Sequence, residues 1–199
     1  MPENKKIILG LAGEIASGKD TISEYLKEKY GSDTMSFSGP MKRIFDIMHM
    51  HPTREEIVWL ATDMRERYGQ DIWSKVLTED CKKNPNDLIS FPNIRLWEDT
   101  EHLGQAGTFY LIAIDSTPEI RYQRLLQRGQ NTKDGIKWEQ YAGDSTKTWE
   151  QFLKESELPT EFPIKEVMKK AEFRIDNNGT FEELYGQVDE LINKIYVQK

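Results

Sequence analysis

Gly13-Glu14-Ile15-Ala16-Ser17-Gly18-Lys19-Asp20-Thr21 lies between an apolar run, Ile7-Ile8-Leu9-Gly10-Leu11-Ala12, and a stretch in which Ile22, Tyr25, Leu26 and Tyr30 share one helical face. The order strand, glycine loop, lysine, helix is the context that a phosphate-binding P-loop requires. Glycines let successive backbone N–H groups curl around an anion, and the following helix N-terminus adds a favourable dipole. Gly13, Glu14, Ala16, Ser17 and Gly18 form the expected cradle, and Lys19 reaches the β- and γ-phosphates of a nucleotide. Asp20 stands where a hydroxyl residue that binds Mg²⁺ is usual, and Thr21 is the next hydroxyl along. A glycine turn that merely opens a helix is the alternative.

The chain has 199 residues, which fits one domain with an insertion and suffices for a full α/β core. Its formal charge is −7, which argues against a general nucleic-acid-binding surface. Small anionic substrates remain compatible with it, because a local cluster of Arg and Lys can oppose the global sign. The single cysteine, Cys81, excludes an internal disulfide and a cysteine-based zinc site and fits a reducing cytoplasm. No stretch approaches the apolar length that spans a membrane, and Met1-Pro2-Glu3-Asn4 does not read as a secretion signal.

Outward from the loop, strands alternate with helices. The first strand spans about Lys6 to Ala12 and the first helix about Gly18 to Tyr30. Thr34-Met35-Ser36-Phe37 reads as a short second strand, and a helix carrying Met41, Ile44, Phe45 and Met48 starts at Ser38-Gly39-Pro40. Thr53 and Glu56 form a capping-box pattern ahead of Ile57, Leu60, Ala61 and Met64. A further helix follows through Trp73, Val76, Leu77 and Cys81. Leu88–Phe91 and the nearly all-apolar Phe109–Ile114 read as the third and fourth strands, and Phe173–Ile175 as the fifth. The pattern predicts an α/β fold with a doubly wound, five-stranded parallel sheet. Gly129 to Pro163 turns polar and aromatic and is too long for an idle connection.

Three constellations carry further chemistry. Arg121, Arg124 and Arg128 recur at spacings of three and four on one helical face, suited to stabilising the spread charge of a transferring phosphoryl group; a solvated basic face is the alternative. Arg95 follows the third strand, at the carboxyl ends of the strands where ligands bind in open α/β sheets, and can hold an acceptor phosphate; an exposed loop arginine is the alternative. Asn177, Gly179 and Thr180 follow the fifth strand on the same side of the sheet and can receive a nucleobase; they also suit a turn with an N-cap, and the two roles are compatible. His49 and His51 have metal-compatible spacing but no third ligand, and read as a polar helix end.

Taken together, these segments resemble the P-loop nucleoside monophosphate kinase group. GLAGEIASGKDT is similar to the P-loop of deoxynucleoside monophosphate kinases and dephospho-CoA kinases. Phe37-Ser38-Gly39-Pro40-Met41-Lys42 and Tyr68-Gly69-Gln70-Asp71-Ile72-Trp73, with Arg65 before it, resemble acceptor-side segments of the phage-type deoxynucleoside monophosphate kinases. Ile175 to Thr180 is similar to the base-binding loop of dephospho-CoA kinases. The resemblance implies a single P-loop kinase domain over residues 1–199, with an acceptor-binding helical segment at about 38–85 and a lid at about 129–163. It implies ATP as phosphoryl donor, Mg²⁺ with Thr21 on the metal side, and Ser38, Arg43, Arg65 and Arg95 around the acceptor. Two departures stand out. Pro92 and Asn93 occupy the strand end where this group carries an Asp that organises Mg²⁺, which leaves Asp20 or Asp115 as substitutes. Ser36-Phe37-Ser38 offers no acid where dephospho-CoA kinases place a general base. The expected reaction is therefore ATP-dependent phosphoryl transfer to a nucleoside or deoxynucleoside monophosphate. The alternatives are a dephospho-CoA kinase and a nucleotide-binding module with little turnover.

Overall fold

The computed structural model describes residues 6–130, 144–157 and 161–197. Five strands form one sheet: β1 (Ile7–Ala12), β2 (Asp33–Thr34), β3 (Leu88–Phe91), β4 (Thr108–Asp115) and β5 (Phe173–Asp176). Their order is β2-β3-β1-β4-β5, and every pairing is parallel. Among the described residues, eight α-helices connect or flank them: α1 (Lys19–Tyr30), α2 (Gly39–Ile47), α3 (Arg54–Tyr68), α4 (Ile72–Lys83), α5 (Pro118–Gln130), α6 (Trp149–Ser156), α7 (Phe162–Lys169) and α8 (Phe181–Val197). The expected doubly wound parallel sheet is the fold of the chain.

The alternation of side chains along the central strands builds a core on each face. Ile8 and Ala12 of β1, with Leu111 and Ala113 of β4, pack against Met41, Trp73, Leu77, Ile164 and Val167 of α2, α4 and α7. Ile7, Leu9 and Leu11, with Ile112 and Ile114, pack against Ile22 and Leu26 of α1 and a stripe on α8. Coverage on both faces is what makes β1 and β4 continuous apolar runs. On the α1/α8 side, Asp189 accepts hydrogen bonds from Tyr25 at 2.8 Å, Tyr30 at 2.7 Å and Lys29 at 2.7 Å, tying the two helices together.

The second strand is shorter than expected. Regular pairing ends at Thr34, and only Met35 N still donates to Ser90 O, at 2.9 Å. As an edge strand it has one neighbour, and Phe37 leaves the strand line to sit in the core, 5.6 Å from the Phe91 ring. The capping box at Thr53 and Glu56 is present and opens α3. Part of the expected lid, residues 131–143 and 158–160, lies outside the described residues. Within the remainder, α6 docks on α5 through an aromatic cluster. Tyr122 lies 5.3 Å from Trp149 and 5.5 Å from Phe152, and Phe152 is fully buried. None of the described helices is long and apolar enough to cross a membrane.

The two-faced core carries a direct test. Ile8→Ala, in a fully buried position on β1, should lower stability by about 2–5 kcal/mol through lost burial and a cavity. Val58→Ala, on the exposed side of α3, should change it by less than about 0.5 kcal/mol. Similar shifts for both variants in urea unfolding would contradict this core.

Candidate active site

The carboxyl ends of β1, β4 and β5 meet at the glycine loop. Two residues of the loop have left-handed backbone: Ala16 at φ 59° and Gly18 at φ 97°. A side chain at Gly13 would place its Cβ 2.5 Å from Ser17 Oγ and 2.9 Å from Ile114 O, so only glycine fits between loop and β4. At Gly18 it would meet Asn177 Nδ2 at 2.2 Å. Ser17 is buried, and Ile22 N bonds Gly18 O at 3.1 Å, so α1 springs directly from the loop.

Lys19 Nζ lies inside this curve, donating to Gly13 O at 2.7 Å and Glu14 O at 2.9 Å, with Ser17 Oγ at 3.4 Å. Burial pushes its pKa down to about 8; Arg95 and Arg121 lower it further, while Asp20 and Glu161 oppose the shift. Thr21 is half-buried on the first turn of α1, and Asp20 points to solvent.

The three arginines of α5 reach three different places. Arg121, almost fully buried, pairs with Glu14 Oε2 at 3.2 Å and donates to Ile15 O at 3.4 Å, with its guanidinium 5.3 Å above the Phe152 ring. Its Nε has no hydrogen-bond partner among the described residues, and burial lowers its pKa. Arg124 donates to Ser116 Oγ and to Asn177 Oδ1, each at 3.1 Å. Arg128 pairs with Asp144 at 2.6 Å. Of the three, Arg121 alone has a described contact with the loop.

Asn177 is a hub. Its Nδ2 donates to Ser17 O at 2.8 Å, its Oδ1 accepts from Arg124, and its backbone N donates to Asp115 O at 2.8 Å. Thr180 and Glu183 exchange backbone-to-side-chain bonds of 2.8 and 3.2 Å, a capping box that starts α8. Gly179 lies against the Glu183 carboxylate, where a Cβ would come within 1.9 Å. The turn-and-cap reading therefore accounts for Gly179 and Thr180, and Asn177 braces the loop.

The residues read as acceptor-binding each have a partner of their own, and Asp99 links two of them, bonding the Arg65 side chain and the backbone next to Arg95. Arg95 is exposed, beyond Ile94, whose N bonds Leu11 O at 3.3 Å; its Nη1 lies 3.5 Å from Glu161. Arg65 is paired at 2.8 Å with Asp99, a buried carboxyl that desolvation pushes up in pKa against the pull of Arg65. Arg43 pairs with Asp80, and Ser38 Oγ lies 3.2 Å from Ser36 Oγ. Asp99, Glu161 and Lys165, which is 3.6 Å from Glu14, did not stand out in the sequence. Each contacts its partner across a long sequence gap, and only a fold reveals such pairs.

Beside the loop, Glu14, Ser17, Asp115, Thr117, Arg121 and Asn178 line a cleft of about 250 Å³. Asp20 and Glu161 are the carboxylates whose charge acts on Lys19, and with the Thr21 hydroxyl two places along the chain they are oxygen donors of the hard kind that Mg²⁺ takes. Asp115 is tied to Arg174 at 2.8 Å. A separate group, Asp71, Glu101 and His102, is accounted for by its own contacts: Asp71 pairs with Lys75 at 2.8 Å and His102 at 2.7 Å.

No family model matches the chain. A UPF0200 protein of Sulfurisphaera tokodaii is 28% identical over 188 residues, spanning 94% of this chain and 97% of its own. A UPF0200 protein of Methanocaldococcus jannaschii is 23% identical over 191 residues, spanning 95% and 90%. Among solved structures, shikimate kinase from Bacteroides thetaiotaomicron superposes with a TM-score of 0.57 at 11% identity, covering 96% of this chain and 98% of its own. The last likeness is one of fold alone: this chain shares its five-stranded parallel α/β architecture with that kinase.

Two outcomes test this geometry. A lysine whose folded pKa is depressed gives up its proton before its unfolded counterpart does. Between pH 8 and the ordinary 10.5 the unfolded chain binds more protons, so stability rises with pH across that window. Urea midpoints of the wild type relative to Lys19→Met should therefore climb from pH 8 to 10.5; parallel profiles would refute the buried ammonium. Asn177→Ala should cost about 1–3 kcal/mol by stranding the Ser17 carbonyl and the Arg124 guanidinium. A loss below about 0.5 kcal/mol in the same assay would remove Asn177 from its bracing role.

Proposed function

We propose that this protein moves the γ-phosphoryl group of ATP to a small anionic acceptor, a nucleoside or deoxynucleoside monophosphate. The observation that carries the reading is Lys19 set inside a glycine loop of left-handed backbone, with the buried Arg121 against the same loop. Loop amides and Lys19 hold the donor phosphates, as preorganised donors whose ordering cost folding has already met. Arg121 reaches the transferring group by exchanging Glu14 for phosphate oxygens. Arg124 acts one step removed, through Asn177, and Arg128 lies toward Asp144. Thr21 is the hydroxyl that would help to hold Mg²⁺, and the ion, when bound, would supply charge neutralisation for the phosphates.

For the acceptor, Arg95 stands near enough to Lys19 for its charge to lower the lysine's pKa. A nucleotide phosphate is already anionic at neutral pH and needs cations more than a base. The end of β2 supplies no carboxylate, and the chain there is Met35-Ser36-Phe37-Ser38. A dephospho-CoA kinase would transfer to a hydroxyl and draws less support from these residues. A nucleotide-binding module with little turnover is favoured by one observation: Asn93, half-buried beyond β3, offers an amide at a place suited to a metal-organising carboxylate.

ADP release across a panel of ribo- and deoxyribonucleoside monophosphates and dephospho-CoA separates these readings. Acceptor-dependent release is expected with a nucleoside monophosphate, and Lys19→Ala should reduce it by about a hundredfold or more with the fold intact. Fastest turnover with dephospho-CoA would overturn the acceptor class. ATP binding without acceptor-dependent release would leave the binding module. Near-normal turnover in Lys19→Ala would overturn the role of the loop.

A further inference from the structure

One carboxylate stands at the phosphate end of the sheet without a role in the reaction described so far. Glu161 immediately precedes α7, with its side chain only 15% exposed and its Oε1 3.5 Å from Arg95 Nη1. Its charge also acts on Lys19 and Arg121, raising the basicity of both. Arg95 thus contacts the carboxylate directly, while Lys19 and Arg121 feel its charge.

The helix that follows is packed into the fold. Ile164, Val167 and Met168 bury α7 in the core, Pro163 fixes the backbone of its first turn, and Lys165 reaches Glu14 at 3.6 Å, which sets the start of α7 beside the loop. Nucleotide phosphates that take these cations would leave Glu161 beside them. The carboxylate would then face phosphate oxygens with its partners gone, an arrangement that calls for a cation between them. The other nearby carboxylates are less suited. Asp115 is held by Arg174 at 2.8 Å, Asp20 points to solvent, and Pro92 and Asn93 provide none.

We propose that Glu161 is the carboxylate that orders the divalent cation of the bound nucleotide, directly or through its waters, in the role that Asn93 cannot fill at the end of β3. The proposal rests on the kinase reading and assigns its metal-side residue to the segment entering α7. Mg²⁺ and Mn²⁺ both take hard oxygen ligands, which a carboxylate and the phosphate oxygens of a bound nucleotide would supply.

The test titrates Mn²⁺ into the full chain saturated with ATP, following free Mn²⁺ by electron paramagnetic resonance. ATP affinity in EDTA is measured in parallel by calorimetry. Glu161→Gln should weaken Mn²⁺ in the ternary complex by about tenfold or more. Metal-free ATP affinity should stay the same or rise, because a negative charge near the phosphates is gone. Mn²⁺ affinity within twofold of wild type would overturn the proposal, as would an equal loss of metal-free ATP binding, which would mark Glu161 as a structural partner of Arg95. Should Glu161→Gln fail to fold, Glu161→Asp carries the same test, keeping the charge with one methylene less reach; wild-type Mn²⁺ affinity there would count against the role. A wild type that binds no ATP would sink the kinase reading itself, an outcome separate from either result for Glu161.

Discussion

The loop at the centre of this protein depends on one hydrogen bond that crosses the sheet, from Asn177 Nδ2 to Ser17 O at 2.8 Å. Ala16 and Gly18 both hold left-handed backbone, and for a residue with a Cβ that conformation costs about 1–3 kcal/mol unless its surroundings over-determine it. Asn177 provides part of that determination. It is itself held by Asp115 O, by Arg124 and by Ser116 Oγ, so β4, β5 and α5 all bear on the shape of the loop. Arg121 in turn holds Glu14 and Ile15 O. The loop is thus held at two points along its length, and the sheet order β1-β4-β5 is what brings those contacts within reach.

Features whose cause is local were legible from the residues alone. The glycine loop, the buried runs of β1 and β4 and the capping box of Thr53 and Glu56 each express a rule acting over a few residues, and each stands where it was read. The second strand was over-read, because Met35-Ser36-Phe37 has strand-like composition while its length is set by a single neighbour and by the pull of Phe37 into the core. The arginines show a different limit. A positive charge is visible in a sequence, whereas the carboxylate that claims it is not. Arg65 and Asp99 are 34 residues apart, Arg43 and Asp80 are 37, and Arg95 and Glu161 are 66. Likewise, spacings of three and four correctly place Arg121, Arg124 and Arg128 along one side of α5. Two turns of helix nevertheless separate the first from the last, and each finds its own partner.

The same pairing shapes what the site can do with an anion. The chain carries a formal charge of −7, yet the loop needs positive potential. The structure reconciles the two by keeping cations at the carboxyl end of the sheet and giving them internal carboxylate partners: Glu14 for Arg121 and Lys165, Glu161 for Arg95. An anion entering the loop therefore competes with carboxylates already in place, and its affinity is the difference between two sets of ion pairs. That difference is largest where the internal pair is poorest. At 3.5 Å and half open to solvent, Arg95 with Glu161 is far easier to exchange than Arg65 with the buried Asp99 at 2.8 Å. Releasing Arg65 would strand the buried Asp99, so on these contacts the Arg95 pair is the one that an incoming anion would exchange at least cost.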